Sequence, residues 1–294
     1  MDKKNIRKIM TASLCFAAFL HYENKGIVKT EYTIKSKDIS SDFDGFSILQ
    51  VSDLQSNRFG KSQVDLITAA YEMDPDIIVI TGDLIDRNHT DYNLAYEAVA
   101  GLSQIAPVFY VNGNHELLLD SREYEEFLQK IKTKAYILIG DAVVINSMEK
   151  EREKWDDNNL ILAGLDEEVV FDSRDWDRKN KDYDKEMITE AVKALYGEKE
   201  GYRILLAHEP QLVEEYEKAN PNLIISGHAH GGQIRLPIVG GLYSPEQGIF
   251  PRFTCGVHSI GDSQMVVSRG LGNSRFPFRI FNRPEIVKIT LKSD

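Results

Sequence analysis

The chain has 294 residues, enough for one large domain with a sizeable core. Hydrophobic residues make up 42% and charged residues 28%, a balance that excludes a disordered chain. With 35 basic and 46 acidic residues the formal net charge is −11, which excludes the basic footprint of a nucleic-acid binder. The same charge would repel a phosphate ester unless cations were bound at its site. Cys15 and Cys255 are the two cysteines, and Cys15 lies in an N-terminal apolar run. A disulfide framework and a cysteine-rich zinc site are therefore not expected.

Lys3, Lys4, Arg7 and Lys8 precede an uncharged, mostly apolar run over residues 9–20. This is the pattern of an export signal or membrane anchor, assigned to residues 1–24, with an amphipathic or disordered tail as the alternative. No Ala-x-Ala cleavage site or lipoprotein context follows, so the segment is read as uncleaved. It is short of the roughly 17–25 residues that span a bilayer. Basic residues ahead of the run would keep the N-terminus cytoplasmic and place the domain, residues 25–294, at the extracytoplasmic face of the cell membrane or outside the cell.

Residues 28–34 alternate as a strand, and residues 46–51 form a more buried one ending in Ser52-Asp53-Leu54-Gln55. A helix is expected over residues 63–72. Residues 76–81 contain a continuous apolar run, a strand buried on both faces that ends in Gly82-Asp83-Leu84-Ile85-Asp86-Arg87. A helix over 92–102 leads to a strand over 108–111 and then to Gly113-Asn114-His115-Glu116. A helix over 122–132 follows, with short strands at 136–138 and 142–145, a charged turn region at 149–159 and a strand at 160–164. Residues 172–186 are charged and read as a surface loop before a helix at 187–196. The strand 203–207 ends in His208-Glu209-Pro210, and a helix over 211–218 leads to the apolar run ending in Gly227-His228-Ala229-His230-Gly231-Gly232-Gln233. Residues 236–253, rich in glycine, proline and aromatics, read as loop and hairpin near that cluster. Strands at 265–270 and 285–291 close the chain. Alternating strands and helices argue βαβ units, with ligands at the carboxyl ends of the strands. No repeat or linker divides the chain.

Each polar strand end has an ordinary structural explanation. Asp83 and Asp86 would serve as helix caps, Asn114 as a turn residue, His208 as a core histidine, and Gly-His-x-His as a surface turn. His89 and His258 fall outside every cluster and are read as structural or surface residues. Taken together, Asp53, Asp83, Asn114, His115, His208, His228 and His230 make a mixed carboxylate, amide and imidazole set that suits Mn, Fe, Zn or another borderline divalent ion. Two such ions would clamp a phosphoryl group and offset the acidic charge.

The ordered blocks at Asp53, Gly82–Arg87, Gly113–Glu116, His208 and Gly227–His230 resemble the calcineurin-like metallophosphoesterase superfamily. The string from Gly227 through Pro237, with Arg269-Gly270-Leu271-Gly272 and Arg283-Pro284-Glu285, is similar to a bacterial subfamily that is often membrane-anchored or exported. The resemblance implies an α/β fold: a four-layer αββα sandwich of two mixed β-sheets flanked by helices. It implies two divalent metal ions (Mn, Zn or Fe, with Mg an option), Asp53 and His230 on the first, Asn114, His208 and His228 on the second, and Asp83 bridging them. It implies hydrolysis of a phosphodiester, phosphomonoester or pyrophosphate by a metal-activated hydroxide, with His115 as general acid, Glu116 orienting or charge-balancing it, and Arg87 holding its loop or lying near a substrate phosphate. Partners would be a small-molecule or lipid-linked phosphate and, through the N-terminal segment, a membrane; oligomeric state is not readable. One block departs from the superfamily's Asp-x-His: Gln55 stands where histidine is usual. Gln55 would ligate through its oxygen and favour a harder ion, or a water would take the position, or the first metal would be weakly held. The last case leaves open a non-enzymatic metal-binding module that retains the fold.

Overall fold

The computed structural model describes residues 2–146, 159–172, 183–273 and 276–294. The expected turn region at 149–159 and loop at 172–186 lie largely outside these residues. The strands are β1 (Val28–Ser36), β2 (Ser47–Val51), β3 (Ile77–Thr81), β4 (Val108–Val111), β5 (Tyr136–Ile137), β6 (Asp141–Ile145), β7 (Leu160–Gly164), β8 (Tyr202–Leu206) and β9 (Leu223–Ser226). Two short ribbons follow, β10 (Arg235–Leu236) with β11 (Gly240–Gly241), and β12 (Tyr243–Ser244) with β13 (Gly248–Ile249). β14 (Gly256–Ile260), β15 (Ser263–Val267) and β16 (Glu285–Ser293) complete the strands. The helices are α1 (Lys3–Lys25), α2 (Val64–Tyr71), α3 (Tyr92–Leu102), α4 (Ser121–Ile131), α5 (Glu167–Asp172), α6 (Lys185–Tyr196) and α7 (Val213–Glu217). The sequence pattern did not indicate α5.

Two six-stranded mixed sheets stack face to face, in the orders β1-β16-β2-β3-β4-β5 and β14-β15-β9-β8-β7-β6. β2, β3, β4 and β5 run parallel, as do β15, β9, β8 and β7. Alternation along each strand sorts the side chains into three cores. Ile48, Val79, Val111, Leu206, Ile225 and Val266 fill the space between the sheets. Leu49, Val51, Ile78 and Ile80 turn the other way, onto Leu66 of α2, Val99 of α3 and Phe127 of α4. Ile161, Leu205, Ile224 and Met265 do the same against Val170 of α5, Val192 of α6 and Tyr216 of α7. The result is the expected four-layer αββα sandwich. Strands covered on both faces explain the continuous apolar runs.

Parallel strands connected by crossover helices end on one side. β2, β3 and β4 of one sheet and β8 and β9 of the other therefore deliver their C-terminal residues to one rim. A buried amide crosses the gap below it: Gln50 Nε2 donates to Ser226 O at 2.7 Å and to Thr81 Oγ1 at 3.0 Å.

The N-terminal apolar run is part of the single helix α1. No described helix is long and apolar enough to cross a membrane. Most of α1 is exposed, but its last turns meet the domain: Phe19 packs edge-on to Phe281 at 5.8 Å, Glu23 accepts from Asn282 N at 3.1 Å, and Asn24 Nδ2 donates to Arg279 O at 3.3 Å.

Ile225 is fully buried between the sheets. Ile225→Ala should lower unfolding free energy by about 2–5 kcal/mol in urea denaturation. A loss below about 1 kcal/mol would contradict a close-packed inter-sheet core.

Candidate metal centre

Asp53 follows β2, Asp83 follows β3, Asn114 follows β4, His208 follows β8, and His228 and His230 follow β9. The backbone bends sharply at these positions. Asp53 (φ +51°), Gln55 (+51°), Asp83 (+53°), His228 (+64°) and His230 (+45°) all occupy the left-handed region that non-glycine residues avoid. Such conformations cost of order 1–3 kcal/mol each and persist where surrounding structure over-determines them. The ligand loops are locked together: Asp53 N donates to Gly82 O, Gln55 N to Asp83 O, Leu271 N to Ser52 O and Gly272 N to Asp53 O, at 2.5–3.1 Å. A Cβ on Gly227 would overlap Ser52 Oγ and the Asp53 carboxylate, so only glycine lets the β9 loop close on the β2 loop.

The buried ligand atoms form two overlapping groups, Asp83 with His208 and His228, and Asp53 with Asp83 and His230; within each group the atoms lie within 4.8 Å of one another. Asp83 belongs to both, the position expected of a bridging ligand. Asn114 Oδ1 joins the first group, 2.9 Å from His228 Nδ1 and 3.2 Å from His208 Nε2.

Each imidazole is oriented by a partner on its other nitrogen. His208 Nδ1 donates to Thr81 O at 2.7 Å, which turns Nε2 toward Asp83 Oδ2 at 3.3 Å. His230 Nδ1 donates to Gly272 O at 3.2 Å and leaves Nε2 3.4 Å from Asp53 Oδ1. His228 Nε2 meets Glu246 Oε2 at 3.1 Å, and Nδ1 faces the cluster. Glu246 was not a sequence candidate: it sits in the turn between β12 and β13, where Pro-Glu-Gln-Gly looks like any surface turn. Its one distinguishing sign was proximity in the chain to the histidine cluster.

Burial disfavours ionisation of Asp83, but the neighbouring His208 and His115 outweigh it and hold the carboxyl well below the usual range. Burial likewise opposes protonation of His208, yet the Asp83 charge raises its pKa. Burial pushes His230 down to about 4, leaving a neutral imidazole with a free lone pair. Glu116, raised to about 7 by burial and by Asp83, accepts from the backbone N–H groups of Asp83, Ile85 and Gly113 at 2.8–3.1 Å. The resemblance gives Glu116 a role beside His115; its charge helps raise the His115 pKa, and its hydrogen bonds also tie the β3 loop to the β4 loop. His115 Nδ1 accepts from Arg87 N at 3.3 Å and lies 3.6 Å from Asp86 Oδ1. Burial opposes protonation of His115, and Asp83 with Asp86 outweigh it to raise its pKa. The Arg87 side chain is exposed.

Asp53 and Asp83 are buried without a lysine or arginine ion pair among the described residues. Gln55 Nε2 donates to Asp83 Oδ2 at 2.6 Å, while its buried Oε1 has no hydrogen-bond partner. An orphaned carbonyl oxygen beside two buried carboxylates is what a cation satisfies. The donor set therefore fits a pair of divalent ions, with glutamine oxygen in the place of imidazole.

A four-layer sandwich that gathers two overlapping Asp/His groups at the carboxyl ends of both sheets defines a class, the metal-dependent hydrolases. The family model for calcineurin-like phosphoesterases matches residues 46–232, and the chain belongs to that family. It is a metal-dependent phosphoesterase, a hydrolase of ester bonds. The chain is 31% identical to metallophosphoesterase YkuE of Bacillus subtilis (strain 168), over 97% of this chain and 92% of the relative. It is 26% identical to phosphodiesterase YaeI of Escherichia coli (strain K12), over 84% and 82%. The crystal structure of TT1561 of Thermus thermophilus shares the fold, with a TM-score of 0.50 at 14% identity over 77% of this chain and 90% of that one.

Glu246→Gln keeps the size of the side chain and removes the charge that orients His228. Metal affinity, read by titration calorimetry with Mn²⁺, should fall about 10–100-fold at one of two sites. Unchanged affinity at both sites would refute the orienting role.

Proposed function

We propose that this phosphoesterase hydrolyses diesters carried by cell-envelope or lipid-linked molecules at the extracytoplasmic membrane face, with α1 as its attachment. The single observation that carries the catalytic part is the sharing of Asp83 between two buried ligand groups. The diester preference is supported by the likeness to a phosphodiesterase of Escherichia coli. The membrane context is supported by the basic flank and apolar run of residues 3–20.

Asp53, Gln55, Asp83 and His230 would hold one divalent ion, and Asp83, Asn114, His208 and His228 the other. When bound, such a pair polarises the phosphoryl oxygens and lowers the cost of deprotonating an attacking water. An oxygen from Gln55 in place of an imidazole nitrogen shifts the first site toward a harder ion, and manganese is the proposed occupant. His115 supplies the proton for the leaving-group oxygen. It does so as the imidazolium: Nε2 gives up its proton and the ring is left neutral. Asp86 beside Nδ1 stabilises the ring when it is recharged. Glu116 keeps the Asp83 and Asn114 loops in register through the backbone of residues 83, 85 and 113.

Turnover of bis-p-nitrophenyl phosphate after Mn²⁺ reconstitution tests these roles. Asp83→Asn and His115→Ala should each lower kcat by at least about 100-fold; near wild-type rates in both would refute the assignment. Gln55→His should retain activity and shift the preferred ion from Mn²⁺ toward Zn²⁺. An unchanged metal preference would remove position 55 from the ligand set.

A further inference from the structure

Large apolar side chains stand in solvent on three segments outside the metal centre. Ile238 and Val239 form the tip of the β10–β11 ribbon, Ile249 and Phe250 lie on the β12–β13 ribbon, and Phe278 and Phe281 lie on the stretch before β16. Ile238 is fully exposed, and Ile249 is 71% exposed. Exposed apolar groups of this size are unusual unless they meet something apolar.

The segments are joined to one another and to the ligand loops. Leu242 N donates to Gly232 O and Ile234 O, Phe250 N to Leu242 O, and Arg235 N to Ile280 O, at 2.9–3.1 Å. Phe276 N donates to Gln233 Oε1 at 3.1 Å. Between them lies a groove of about 290 Å³ lined by Gly232, Gln233, Ile234, Leu242, Tyr243 and Phe276, with a largely apolar wall. Gly232 is two residues from His230, and the turn bearing Glu246 returns to His228. The groove thus borders the metal centre through the backbone that carries its ligands.

Charge separates a bilayer from a protein partner as the occupant. The whole chain is −11, but over the described part of residues 231–285 the accessible arginines are Arg235, Arg252 and Arg283, since Arg279 is buried and Arg269 is paired with Glu285; the acids left are Asp262, exposed, and Glu246, turned to His228. Phe281 also touches Phe19 of α1, whose far end bears Lys3, Lys4, Arg7 and Lys8. Apolar side chains in a basic surround match an anionic lipid surface, where aliphatic and aromatic groups enter the interface and arginines meet headgroup phosphates.

We propose that the β10–β11 tip, the Ile249–Phe250 end of the β12–β13 ribbon and the Phe276–Phe281 stretch dock the domain onto an anionic bilayer, and that the groove along Gly232 and Gln233 takes the lipid chain of a phosphoester presented from that bilayer. This deepens the reading of the enzyme as one acting on lipid-linked phosphates. It assigns membrane contact to the catalytic domain in addition to α1.

The test is co-sedimentation of the full chain with vesicles of phosphatidylcholine and phosphatidylglycerol in a three-to-one ratio. The triple variant Ile238→Ser, Val239→Ser, Phe250→Ser is compared in two backgrounds, the natural helix and a helix carrying Leu14→Ser and Phe16→Ser. Vesicle partitioning should fall at least about tenfold on the loop substitutions in both backgrounds, with turnover of soluble bis-p-nitrophenyl phosphate unchanged. Unchanged partitioning in both backgrounds overturns the proposal. Ile238→Trp provides a second measurement without loss of apolar surface: its emission should shift to the blue on vesicle addition. No shift, or a shift produced by self-association without lipid, also overturns it. Docking without turnover of any phosphoester would instead count against the substrate reading alone.

Discussion

Two carboxylates, Asp53 and Asp83, are buried with no lysine or arginine paired to them among the described residues, only histidines, and the active end of the molecule is arranged around that constraint. Burying a charge costs several kcal/mol unless hydrogen bonds and opposite charges replace water. Here the backbone begins the replacement. His228 N donates to both oxygens of Asp53, His115 N donates to Asp83 Oδ1, and Ser52 Oγ and Gln55 Nε2 each add one more bond. What remains is negative charge facing imidazole lone pairs, which is the chemistry of a cation site. The same interaction explains why the ligands must come from both sheets: no single loop supplies enough donors to make the burial tolerable.

That arrangement sets two demands, close approach and unusual backbone conformation, and the sandwich meets both. Gly227 allows the second sheet's ligand loop to touch the first sheet's. The left-handed residues at 53, 55, 83, 228 and 230 aim side chains that extended backbone would point elsewhere. Three apolar cores offset the strain, and the buried Gln50 amide fixes the sheets' relative register directly beneath the rim. Arg279 does similar work on the far side. Fully buried, it donates to the carbonyls of Arg269, Gly272 and Asn282 and so braces the segment that supplies the carbonyl partner of His230. Burial and the nearby Arg269 lower its pKa to about 10, still high enough to keep the guanidinium charged at neutral pH.

The fold was legible because buried parallel strands write themselves as apolar runs and their ends are polar by default. The runs before Asp53, Asp83 and His228 gave β2, β3 and β9 with errors of a residue or two. The candidate ligands were legible for the same reason: a histidine or aspartate at a strand's carboxyl end leaves a period that is otherwise apolar. Glu246, Ser52 and the carbonyls of Thr81 and Gly272 were not legible. A carbonyl is present at every residue, and a glutamate in a turn is ordinary, so only the folded chain shows which of them meets an imidazole. Gln55 lies between these cases. Its departure from Asp-x-His could be seen, but the orphaned oxygen that accounts for it appears only once Asp83 is found on the amide nitrogen. The part Glu116 plays also needed coordinates, since its contacts are backbone N–H groups and not the neighbouring histidine side chain.

β1 is an edge strand, and its one partner is β16, the last strand of the chain, paired in parallel from Val28 opposite Glu285 to Ser36 opposite Ser293. α1 leads straight into it. Mechanically, a pull transmitted along α1 first meets the clamp of Glu23 and Asn24 on residues 279–282. If the clamp gives way, a pull along the strand axis loads the whole β1–β16 ladder in shear, so its hydrogen bonds share the force instead of opening one at a time like a zipper. The ladder lies apart from the metal centre, but the clamp does not: Asn282 Nδ2 donates to His230 O, and Arg279 braces the Gly272 carbonyl that meets His230. A tether at α1, as proposed, would therefore pass tension first to the loop that holds His230 and only afterwards to the ladder.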